Sequence, residues 1–119
     1  MKLFAPFLSI QNQIRIYHWQ TESYAQHKAF GKTYEKLDEL IDTFIEMYMG
    51  KYGRSKAKFT YKIELENIDV NYMAMINSYV DFLISLNEEL DQVNDSDLLN
   101  IRDEMLGVFN RLKYLLTLQ

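Results

Sequence analysis

Residues 51–67 read Lys51-Tyr52-Gly53-Arg54-Ser55-Lys56-Ala57-Lys58-Phe59-Thr60-Tyr61-Lys62-Ile63-Glu64-Leu65-Glu66-Asn67. The first half is polar and basic. Phe59 to Ile63 then alternates apolar and polar like an extended strand, too short and isolated to build a sheet. Helical periodicity stops at this stretch and resumes after it. A structureless connection of about seventeen residues needs a reason inside a small domain. Crossing the full length of a helical bundle is such a reason.

Outward from the crossover, each flank reads as two helices. Before it, one helix is expected from about Pro6 to Thr21, with apolar residues at 4, 7, 8, 10, 14, 16 and 17. Pro6 suits a first turn, where its missing N–H is not needed. A second is expected from Ser23 or Tyr24 to Met49. Its stripe is Tyr34, Leu37, Leu40, Ile41, Phe44, Ile45 and Tyr48, and Gly50 and Gly53 end it. After the crossover, a third helix is expected from Asp69 to Val93, with Val70, Met73, Ile76, Val80, Leu83, Leu86 and Leu90 as its seam. Asn94-Asp95-Ser96-Asp97 reads as a turn and N-cap. The fourth runs from there to the end, with Leu98, Ile101, Met105, Phe109, Leu112, Leu115 and Leu116 inward. Short turns make each pair an antiparallel hairpin. The expected fold is one all-α domain over residues 1–119, a four-helix bundle with the single long crossover of ferritin-like proteins.

Composition agrees. The 119 residues carry one Pro and four Gly, a scarcity that favours long helices. There is no Cys, which excludes disulfides and thiolate metal sites and gives no sign of an oxidising compartment. The start, Met1 to Ile10, is broken by Pro6 and runs into Gln11-Asn12-Gln13, so it is read as fold and not as a signal peptide. No stretch approaches a membrane span of about 20 apolar residues. A cytoplasmic location is expected. The net charge of −4 disfavours direct DNA binding. Lys51, Arg54, Lys56, Lys58 and Lys62 form a basic patch, read first as a solvated loop.

Candidate ligands are few. The two histidines are His18, in Tyr17-His18-Trp19, and His27. Asp42 and Glu46 lie one turn apart beside the apolar stripe of the second helix. Imidazole with carboxylate suits iron, zinc or manganese. No Glu-x-x-His occurs, so the usual di-iron core within one bundle is not expected. His27 and Asp42 lie about 22 Å apart along one helix axis. They can share a metal only across a two-fold dimer, with His18 and His27 of one copy facing Asp42 and Glu46 of another.

The series His18-Trp19, His27, Asp42-x-x-x-Glu46 and Gly53 resembles the signature of the Dps-type miniferritins, as does Asp97-Leu98-Leu99. The resemblance implies an intersubunit ferroxidase-type site binding Fe(II) at His18, His27, Asp42 and Glu46, in a homo-oligomer of at least two copies. Direct DNA binding is not carried over from the family and is not expected, since the family's basic N-terminal tail is absent. The histidine spacing is three residues shorter than the family's. Gly31 stands where the family places an acid, and the shorter chain does not imply a twelve-subunit shell. The competing expectation is the same bundle without metal, acting as a structural or interaction protein.

Overall fold

The computed structural model describes residues 2–57 and 60–118. It is a bundle of four helices: α1 (Phe4–Gln20), α2 (Tyr24–Tyr52), α3 (Ile68–Glu89) and α4 (Ser96–Leu115). No strand occurs among the described residues. Of the strand-like run, Phe59 lies outside them with Lys58, and residues 60–67 have no regular structure.

Packing runs in a ring: α1 against α2, α2 against α4, α4 against α3, and α3 against α1. The diagonal pairs do not approach closely backbone to backbone among the described residues, although Phe30 of α2 meets Tyr72 of α3 edge-on at 6.1 Å. Side-chain bonds fix the directions. Lys51 at the end of α2 reaches Asp97 at the start of α4, 2.8 Å away. Gln20 at the end of α1 reaches Asn67 just before α3, 2.7 Å away. The crossover therefore carries the chain from one end of the bundle to the other, and every neighbouring pair is antiparallel.

Phe7, Ile10, Ile14 and Tyr17 of α1 are buried against Phe30, Leu37, Ile41 and Phe44 of α2. Ile76, Leu83 and Leu86 of α3 meet Leu98, Met105, Phe109 and Leu112 of α4 in the same core. Burying each such side chain contributes roughly 1.5–3 kcal/mol before entropy is counted.

The expected boundaries shift in three places. Gly50 lies inside α2, which runs on to Tyr52 and stops at Gly53, whose φ of +95° a side chain would oppose. The seam of α3 does not start at Val70, which is 64% exposed. Asn71 leaves helical geometry there, with φ −168° and ψ 82°. Its Oδ1 accepts from the Ala74 N–H at 3.0 Å, the bond of an N-cap. Continuous helix thus begins after Asn71, and Val70 lies on a separate short turn. At its far end α3 stops at Glu89, short of Val93, which is exposed.

Lys51 is no part of a solvated basic loop. It ends α2 and bonds Asp97, Asp95 and the Asn94 carbonyl, while the Tyr52 hydroxyl donates to Asp95. Arg102, only 6% exposed, ties α4 to α3. It donates to the Leu83 carbonyl at 2.9 Å and to Asn87 Oδ1 at 2.8 Å, and its Nε reaches Asp103.

Two glutamines hold the end of the crossover. Gln13, fully buried, donates to the Glu66 carbonyl at 2.8 Å and accepts from the Glu66 N–H at 2.6 Å. Gln20, two turns further on, accepts from the Ile68 N–H at 2.8 Å. The end of the long connection is thereby held to α1 by side-chain amides.

Candidate functional site

The α1–α2 corner brings the two histidines together. Thr21, Glu22 and Ser23 make the turn, and Ser23 Oγ caps α2 by accepting from Gln26 N–H. This tight turn lays the last coil of α1 across the first coils of α2. The His18 and His27 rings stack with centroids 3.9 Å apart and planes 19° from parallel.

Each ring is anchored by the other residue's backbone. His18 Nδ1 donates to the His27 carbonyl at 2.7 Å, and His27 Nδ1 donates to the His18 carbonyl at 2.9 Å. The His18 carbonyl belongs to the last turn of α1, where carbonyls lack helical partners. A carbonyl only accepts, so both protons sit on Nδ1. In the neutral rings, both Nε2 atoms keep their lone pairs. A ring nitrogen tied to a backbone carbonyl, with its other nitrogen bare, is the usual posture of a metal-binding histidine.

Gly31 makes this arrangement possible. A Cβ there would lie 2.9 Å from Cε1 and 3.1 Å from Nδ1 of His18. The imidazole occupies the space that a side chain at 31 would need. Any side chain at 31, an acid included, is thus opposed by the ring itself.

Aromatic groups complete the corner. Tyr34 meets the His18 ring edge-on at 5.2 Å, and Tyr24 lies 6.4 Å from His27. Trp19 is 66% exposed and takes no part in the core. Tyr17 is buried against Phe30 and Tyr72. Its hydroxyl has no partner among the described residues, and burial pushes it well above its ordinary range.

Asp42 and Glu46 are exposed on α2, far along the axis from His27, and make no ion pair among the described residues. Between the two groups lies Arg15, 2.9 Å from Asp38 and stacked over Tyr34 at 4.9 Å. Burial raises the Asp38 carboxyl above its ordinary value, Arg15 pulls it down, and the charge of Asp42 pushes it up. Within one chain, no three ligand side chains converge among the described residues. The structure therefore pairs His18 with His27 and leaves Asp42 and Glu46 apart from them, as the helical spacing requires.

Sequence reasoning passed over Gln13 and Arg102. Both had a signal. Gln13 falls between Ile10, Ile14 and Tyr17 on an apolar stripe, and position 102 falls in phase with Leu98, Met105 and Phe109. A polar residue at a core position needs a buried partner.

No helix among the described residues is long and apolar enough to cross a membrane. No solved structure matches the chain at a significant level. It is similar to an uncharacterized 14.6 kDa protein of the mobD-ri intergenic region of Enterobacteria phage T4. The two are 34% identical over 103 residues, covering 86% of this chain and 75% of the phage protein. Residues 18–116, which include the histidine corner and all of α2, α3 and α4, match the family of unknown function DUF5856, and the chain belongs to that family.

Proposed function

We propose that this protein is a ferritin-like bundle that binds a divalent transition metal, iron first, between two of its own copies. One copy contributes His18 and His27, and the other contributes Asp42 and Glu46. The observation that carries the reading is the histidine pair. Both Nδ1 atoms are committed to backbone carbonyls, so the two Nε2 atoms remain as nitrogen donors. The exposed carboxylates of Asp42 and Glu46 supply the oxygen donors that iron prefers beside imidazole. A two-fold axis near Tyr34 and Glu35 would set His27 opposite Asp42 and generate two equal sites per dimer.

The donor set suits one metal per site. A second iron, as ferroxidase turnover by a metal pair requires, lacks the bridging acid that the His18 ring displaces at Gly31. Iron binding is therefore the core of the reading, and oxidation of Fe(II) is its further step. Anaerobic titration with Fe(II), followed by exposure to oxygen, tests both. One Fe(II) per chain, lost alike in His18→Ala and Asp42→Ala, is the expected result. Loss in only one variant would break the shared-site idea.

A second reading has an observation of its own. The two rings satisfy each other's backbone and so explain themselves as a staple of the α1–α2 corner. On that reading the bundle is a metal-free interaction scaffold, and replacing both histidines lowers stability without changing metal content.

A further inference from the structure

We propose that the groove between α2 and α4 binds a small amphipathic anion, a carboxylate or sulfonate carried on an apolar body. The groove encloses about 440 Å³, within the range of small-molecule sites. Its floor includes Gly107, Val108 and Leu115. Lys32, Lys36 and Arg111 stand around it against one acid, Glu104. None of the three cations has an ion pair or hydrogen bond among the described residues. Glu35 and Glu39 flank the two lysines on the outer side without pairing with them. Within the lining of the groove three unpaired cations stand against a single acid, in a chain whose net charge is −4.

Gly107 is the second observation. A glycine inside a helix costs about 1 kcal/mol relative to alanine. Nothing in the fold demands it here. Its φ is not positive, and a Cβ would meet nothing within 4 Å. What the missing side chain does is leave open the part of the groove that position 107 lines. The site is independent of the histidine corner, because Lys36 lies roughly half a turn around α2 from His27.

The test uses decanoate and anilinonaphthalene sulfonate as probes, with decanol as the uncharged control. Titration calorimetry and fluorescence report binding, and sedimentation reports assembly. The expected result is one decanoate site per chain, with decanol bound at least about tenfold more weakly. Lys36→Glu with Arg111→Glu weakens decanoate about tenfold or more. Gly107→Leu fills the notch and abolishes binding while helix content and melting temperature hold. The proposal is overturned if neither probe binds at millimolar concentration, or if decanol binds as well as decanoate. It is equally overturned if the variants bind like the parent. A change of sedimentation in Gly107→Leu without a change in probe binding overturns it too, and gives the groove to a second copy.

Discussion

His18 and His27 are interlocked: each imidazole donates to the other residue's carbonyl, the rings stack at 3.9 Å, and the His18 ring lies against Gly31. The corner depends on three residues at once, so its energetics are coupled.

Gly31→Ala is expected to destabilise the protein by about 1 kcal/mol, because the gain in helix propensity is outweighed by displacement of His18 and loss of its bond. In a His18→Ala background the same change is expected to stabilise by about 1 kcal/mol, since the space is then empty. Chemical denaturation of the four proteins of this cycle gives the coupling. A Gly31→Ala effect of the same sign and size in both backgrounds would show that the ring does not occupy that space.

Gln13 pairs the crossover to α1 through both bonds to Glu66. Gln13→Ala leaves two backbone groups without partners and is expected to cost about 2–3 kcal/mol. Hydrogen exchange of the Glu66 amide should quicken well beyond that of core amides in α1. Equal protection in the variant would mean the crossover is held by other contacts.

Asp95 closes the opposite end of the bundle. The Tyr52 hydroxyl holds its carboxyl below the ordinary 3.8, with help from the Asp91 backbone N–H and Lys51. A depressed value in the folded state means that folding favours the ionised form. The stabilisation is present above 3.8 and disappears as pH falls through the lower folded value. Asp95→Asn should therefore lower the urea midpoint at neutral pH, and the gap should close in strong acid. A gap that persists unchanged at about pH 2 would assign the effect to packing rather than charge.

Much of the fold could be read from periodicity, because a helix that buries one face repeats its apolar residues at three and four. Leu37, Leu40, Ile41 and Phe44 were placed correctly for that reason. The crossover was legible from its length and its polar start. The start of α3 was not. Val70 keeps the apolar phase, but the carboxamide of Asn71 caps the helix one residue later, and the choice between capping and continuing is local geometry that hydropathy does not carry. The candidate site was legible in part. Spacing alone separates His27 from Asp42. The stacking of His18 on His27 depends on how tightly Thr21 to Ser23 turn, and the role of Gly31 shows only once the ring lies upon it. The same spacing is what makes the proposed site depend on a contribution from a second copy.

That contribution is the central claim, and mixing variants tests it most directly. One variant lacks both histidines (His18→Ala with His27→Ala), and the other lacks both acids (Asp42→Ala with Glu46→Ala). Each alone should bind no Fe(II). In a mixed dimer, the histidines of the second variant meet the acids of the first, so one of the two sites is rebuilt. Co-refolding the two in equal amounts and titrating anaerobically should restore about a quarter of the parent's capacity, the share expected when half the dimers are mixed. No restoration on mixing, with both variants folded and dimeric, would contradict a site shared between copies, as would full binding by either variant alone.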